Sequence, residues 1–186
     1  MSRLLNAIAR LFRPAPSTSA DHRGLTAAPT RSGPAQSGAV RGFSGAEPGR
    51  TGVDATSEVD PSRLPGLRTS YSPRIDGDPD PGEVVWTWVP FEEADGRGKD
   101  RPVLVVAAEP GDSVIAVALT SQAHPGRPEY VAIGSGPWDG QGRPSFARID
   151  RVFRVHTTGM RREGAALDVR RYATVRAALR ERYGWR

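Results

Sequence analysis

The sequence predicts a small, strongly bent, mainly β barrel with one C-terminal helix, preceded by a long disordered tail. Three observations predict it. Residues 1 to 80 are dominated by Pro, Gly, Ser, Thr, Ala and Arg, without sustained apolar periodicity after the first turns. Such a stretch buries too little apolar area to offset the entropy lost on ordering it. Residues 81 to 186 carry short apolar runs punctuated by Pro, Gly and Asp, the pattern of short antiparallel strands joined by turns. A single stretch of helical spacing then closes the chain, from Asp168 to Tyr183.

Within the tail, Met1 to Arg13 reads MSRLLNAIARLFR, an amphipathic basic helix stopped by Pro14 and Pro16. It is too short and too charged to span a bilayer, and it lacks the apolar core and small-residue cleavage site of a secretory signal. Its few charges of one sign predict no stable membrane association, and the protein is expected to be cytoplasmic. The acidic turn at residues 75 to 82 lacks the spacing and the bidentate glutamate of a calcium loop.

Strands are predicted at Glu83–Pro90, Val103–Ala108, Val114–Leu119, Glu129–Ile133, Phe146–Ile149 and Val152–Val155. Glu109-Pro110-Gly111-Asp112 makes a hairpin turn, and His124 to Pro128 a longer one. Pro102 marks the first residue of its strand and forces extended backbone at Arg101. In the helix, Asp168 is the N-cap and Gly184 ends it. Val169, Tyr172, Ala173, Leu179 and Tyr183 form its apolar stripe.

The chain has 186 residues and no cysteine, so disulfides and cysteine-based metal sites are excluded. His22, His124 and His156 are dispersed, without metal-ligand spacing, so a mechanism without metal or cofactor is expected. Charge is uneven. Residues 81 to 150 hold 6 basic and 10 acidic side chains, a balance of −4, whereas residues 151 to 186 hold 10 and 3, a balance of +7. A basic block beside a more acidic one suits a polyanion or an acidic peptide as partner, and equally a solvated arginine-rich helix.

The chemistry gathers near Arg101, where the loop residues Gly98, Lys99 and Asp100 run straight into a continuous apolar strand. A guanidinium fixed at the rim of a rigid sheet meets phosphate or carboxylate oxygens in a bidentate way. The next strand ends in Thr120-Ser121-Gln122. An arginine and a hydroxyl cluster at two strand ends make a plausible phosphodiester site.

These residues resemble the PemK/MazF family of toxin endoribonucleases from type II toxin–antitoxin systems. The resemblance is carried by Gly82-Glu83-Val84-Val85-Trp86, by Arg101-Pro102 with the aliphatic run behind it, and by Thr120-Ser121, in that order across residues 82 to about 183. It implies an SH3-like barrel of the plasmid-maintenance type, a homodimer, and metal-free cleavage of single-stranded RNA. It also implies a cognate antitoxin that occupies the RNA groove, and a toxin–antitoxin complex that binds operator DNA. By motif, the family's catalytic residues fall on Arg101 and Thr120.

Those residue types fit the reaction. A 2′-hydroxyl attacking its own phosphate develops charge that a guanidinium neutralises and a threonine hydroxyl hydrogen-bonds. Lys99, Ser121, Gln122, His124, Trp138 and Arg143 are the expected nucleic-acid contacts. Arg151 and Arg154 are further phosphate candidates, although Asp150 beside Arg151 equally makes an internal pair. Asp95, Asp100 and His124 are the candidate general bases, each with the plainer reading of a solvated surface group. Asp100, directly before Arg101, is placed to pair with it and weaken its hold on phosphate. Of Trp86 and Trp88, one is assigned to the core and the other is left to stack on a base. Two further readings stay open: a non-enzymatic module binding nucleic acid or a partner peptide, and a toxin directed at DNA gyrase.

Overall fold

The computed structural model describes residues 47 to 74 and 76 to 186; the amphipathic segment expected at residues 1 to 13 lies outside the described residues. Seven strands form one antiparallel sheet: β1 (Ser57–Val59), β2 (Glu83–Pro90), β3 (Gly98–Ala108), β4 (Ser113–Thr120), β5 (Tyr130–Gly134), β6 (Ser145–His156) and β7 (Arg161–Ala166). Their order is β1-β6-β4-β3-β2-β7, with β5 pairing to β6 off that path. One helix, α1 (Val169–Tyr183), completes the fold.

Alternation along the strands sorts side chains into two cores. Leu104 and Val106 of β3 join Ile115 and Val117 of β4 on the face that α1 covers. Val103 and Val105 join Ala116 and Ala118 on the opposite face, with Val85 and Phe153. Register shifts at Val84/Val85, Val105/Ala107 and Val117/Ala118 bend the strands, as bulges do, and curl the sheet.

The two strands predicted at Phe146–Ile149 and Val152–Val155 are one strand, β6. Asp150-Arg151 sits at its bulge, where the pairing of Val117 with Val152 gives way to that of Ala118 with Arg148. Pro102 lies inside β3, not at its start. It pairs with Trp86 of β2, but the β3–β4 pairing begins only at Val103, so on the β4 side no partner asks for a proline N–H at residue 102. Strand β7 reads Arg-Arg-Glu-Gly-Ala-Ala, which carries no apolar alternation, and the sequence did not announce it.

The predicted disordered tail through residue 80 does not describe residues 47 to 74. There β1 pairs with β6, and Leu64 and Leu67 pack against the helix-side core. Thr69 N–H bonds the Arg186 carbonyl at 2.6 Å, and Arg186 N–H returns a bond to the Leu67 carbonyl at 2.9 Å. The Tyr71 hydroxyl reaches the Leu167 carbonyl at 2.8 Å. Each apolar residue docks singly in its own place, so the segment shows no period to read.

Helix α1 starts and stops where expected. Asp168 accepts from Arg170 N–H and Arg171 N–H at 3.0 Å, and Gly184 adopts the left-handed φ of 70° that ends it. Its buried stripe is Tyr172, Val175 and Leu179; Val169 and Ala173, predicted for that stripe, are exposed. The Tyr172 hydroxyl donates to the Val106 carbonyl at 2.9 Å, and the Tyr183 hydroxyl to that of Ile149 at 2.7 Å. These two bonds fasten the helix across β3 and β6.

At the hairpin between β3 and β4, Glu109 accepts two hydrogen bonds from Arg154, at 2.6 and 2.7 Å. That hydrogen bonding holds its carboxyl below the usual glutamate range. A depressed carboxylate contributes stability that is present above the unfolded pKa and lost as pH falls through the folded one. Glu109→Gln should therefore be less stable than the parent protein at neutral pH. The gap in urea midpoint should narrow as pH drops below about 4.3, the ordinary glutamate value.

Candidate active site

Arg101 stands near the start of β3, paired with Thr87 of β2. The β3–β4 register pairs Val103 with Ala118; carried two residues further, it sets Arg101 across from Thr120 at the end of β4. Arg101 and Thr120 share the face parity of Val103 and Ala118 and line the same cavity, about 560 Å³ in volume. That size lies within the range of ordinary ligand sites, roughly 300–1,000 Å³.

The Arg101 guanidinium is partly buried, and among the described residues no carboxylate pairs with it. Its Nε is buried without a hydrogen-bond partner. Burial first, and then the charges of Arg151 and Arg148, lower its pKa. An arginine remains cationic even so. The site thus holds an uncompensated positive charge that an anion would relieve. Thr120 Oγ1 accepts from the Gln122 N–H at 3.1 Å, which fixes the hydroxyl and leaves its own proton free to donate.

Asp100 does not pair with Arg101. Successive side chains on a strand point to opposite faces, so Asp100 turns away and bonds Arg161 of β7 at 2.5 and 3.3 Å. Asp95 bonds Arg97 in an exposed turn outside the cavity. His124 is also outside it, stacked on Tyr130 with ring centroids 3.9 Å apart. Of the three candidate bases, only Asp100 borders the cavity, and its carboxylate is engaged.

Lys99, Ser121 and Gln122 line the cavity beside Arg101, and Trp138 and Arg143 line it from the β5–β6 loop. Trp138 is 3 % exposed and donates to Ser145 Oγ at 3.1 Å. A β-carbon at Gly136 would overlap its indole, which explains that glycine. Trp138 is therefore the floor of the cavity and the anchor of its loop. Arg143 pairs with Asp139 at 2.9 Å, and this hydrogen bonding holds the Asp139 carboxyl below its usual range.

Neither Trp86 nor Trp88 is a core residue. They are two apart on β2 and so share a face, and both are half-buried. Trp86 lines the cavity, with its indole N–H buried and unpartnered; Arg50 lies over the ring of Trp88 at 4.6 Å. Asp150 bonds Arg148, two residues away on the same strand face, and not Arg151. Arg151 and Arg154 are held by Glu58 and Glu109. The sequence reading missed Asp139, Gly140, Gln141 and Ser145 of the cavity wall. The signal was there: a glutamine between two glycines, in a loop already chosen for its tryptophan.

Among the described residues no group of His, Asp or Glu has metal-binding geometry, and no helix is long and apolar enough to cross a membrane. No curated protein matches the sequence. Solved structures similar to it include a MazE–MazF complex and a free MazF, both from Deinococcus radiodurans. The complex is 22 % identical, over 57 % of this chain and 96 % of that one, with a TM-score of 0.44. The free protein is 23 % identical, over 57 % and 97 %, also at 0.44. The Mycobacterium tuberculosis toxin MazF-mt6 is 16 % identical, over 55 % and 98 %, at 0.41. A family model described as the PemK-like, MazF-like toxin of type II toxin–antitoxin systems matches residues 80–182, more than half of the chain. On that match the chain belongs to the PemK-like, MazF-like toxins of type II toxin–antitoxin systems.

Proposed function

We propose that this toxin is an endoribonuclease that cleaves single-stranded RNA at the Arg101–Thr120 cavity without a metal ion. The observation that carries the reading is the unpaired, partly desolvated guanidinium of Arg101 at one cavity with the Thr120 hydroxyl. In the proposed step the substrate's 2′-oxygen bonds to phosphorus as the phosphorus–5′-oxygen bond breaks. A 2′,3′-cyclic phosphate and a 5′-hydroxyl result. Arg101 neutralises the charge on the non-bridging oxygens, and Thr120 donates a hydrogen bond to them. The 2′-proton passes to solvent in the open cavity, and the leaving oxygen takes one from it.

Lys99 and Arg143 flank the phosphate path, while Ser121 and Gln122 contact sugar or base edges. His124 is not among the residues lining the cavity and takes no part in this reading. A cognate antitoxin with acidic side chains would compete for the same guanidinium. The homodimer and operator binding by the toxin–antitoxin complex belong to the same proposal. Asp100 is engaged by Arg161, so it does not weaken the hold of Arg101 on phosphate in this reading.

The test is incubation of the purified protein with single-stranded RNA in excess chelator, followed by end-group analysis. Cyclic phosphate and 5′-hydroxyl ends are expected, and a 2′-deoxy substitution at the cut site should stop cleavage there. Intact RNA, or cleavage that needs added metal, would sink the reading. Thr120→Ala should lower the cleavage rate by about a hundredfold, the lower end of the cost of removing one such donor, since the guanidinium stays.

A further inference from the structure

Residues 47 to 59 form a strap outside the stretch that matches the family, and it fastens to the neighbours of Arg101. Thr56 Oγ1 lies 2.7 Å from Thr87 Oγ1, and Thr87 is the residue paired with Arg101. The Pro48 carbonyl accepts from Trp88 N–H at 3.1 Å. Glu58 takes Arg151 in a fork, with Nε 3.1 Å from both carboxylate oxygens and a terminal nitrogen 2.5 Å from one. Arg151 also donates to the Pro90 carbonyl at 3.1 Å and lies over the Phe153 ring at 5.0 Å.

Arg101 stands within electrostatic reach of both Arg151 and Arg148. Arg148 is bound by two carboxylates, Glu92 and Asp150. Arg101 is bare. Arg151, 11 % exposed, is bound by one carboxylate, and that one, at 45 % exposed, belongs to the strap. A carboxylate offers a guanidinium fork the same pair of oxygens that a phosphate does. Strand β1 is only three residues long, so few ladder bonds hold the strap at this point.

We propose that Arg151 is a second phosphate position of the RNA-binding face, held in cis by Glu58, so that the strap and the RNA backbone compete for one guanidinium. The inference rests on the ribonuclease reading above. Fluorescence anisotropy with a uniformly 2′-O-methylated, hence uncleavable, RNA oligonucleotide tests it across a series of salt concentrations. Glu58→Gln keeps the strap and one acceptor oxygen but removes the charge and the second oxygen of the fork. It should bind about three- to tenfold tighter, with a log–log salt slope steeper by roughly 0.7, the increment for one more phosphate contact on a single strand.

The natural chain has no cysteine, so Thr56→Cys with Thr87→Cys gives a lock that can be set and released in one protein. The oxidised form should bind RNA several-fold more weakly than the same sample after reduction. Equal binding by the two forms, or a Glu58→Gln protein that binds no tighter than the parent, overturns the proposal. A parent protein whose RNA binding is absent, or survives Arg101→Ala unchanged, fails the ribonuclease reading itself and takes this inference with it.

Discussion

Arg101→Ala should lower RNA cleavage by at least about a hundredfold, the cost typical of removing one well-aimed stabilising donor, while leaving the fold intact. The second half of that expectation is the more diagnostic. Arg101 has no ion-pair partner among the described residues, its Nε is unbonded, and Arg148 and Arg151 repel it. A basic group whose folded pKa lies below its unfolded value is disfavoured by folding wherever it is charged, which spans the accessible pH range. Arg101→Leu should thus match or exceed the parent protein in urea midpoint as activity disappears. Arg101→Lys should recover little, because a single ammonium cannot replace a planar fork. An active Arg101→Ala protein, or one that loses activity only because it unfolds, would remove Arg101 from the site.

A chain beginning at residue 81 should be less stable than one beginning at residue 47 by more than about 4 kcal/mol, measured by urea unfolding. The figure follows from several buried hydrogen bonds at about 1 kcal/mol each and several apolar side chains at about 1.5–3 kcal/mol each, reduced by the ordering entropy of the segment. The shorter chain loses the buried Val59, and Leu64 and Leu67 from the helix-side core. It also leaves Thr87 without Thr56 and the Leu167 carbonyl without Tyr71. The composition of residues 1 to 80 predicts the opposite, a removable tail. Equal urea midpoints for the two chains would show that the strap and the segment behind it add nothing to the barrel.

These two expectations mark where the sequence spoke and where it did not. Val84, Val85, Val103 to Val106 and Val114 to Leu119 are continuous apolar runs bounded by turn residues, so their strands were legible from local pattern alone. Asp168 and Gly184 fixed the helix by capping chemistry that needs no neighbours. The Arg-Pro step and the Thr-Ser pair were visible as residue types suited to a phosphodiester. Whether Asp100 would silence Arg101 was not visible, because that depends on face parity and on Arg161, which lies 61 residues away. Gln141 and Asp139 were missed for a similar reason: a loop with no period gives no hint of which side chains turn inward.

By itself the sequence determined the strand-rich barrel, its closing helix, and the two strand ends that carry an arginine and a threonine, since each is written in a run of adjacent residues. The tertiary structure alone decided that residues 57 to 71 fasten to the sheet and its helix, that Asp100 leaves Arg101 free, and that Glu58 holds Arg151. Those outcomes rest on ion pairs and single docked side chains between distant segments, whose partners have no periodic trace in the chain.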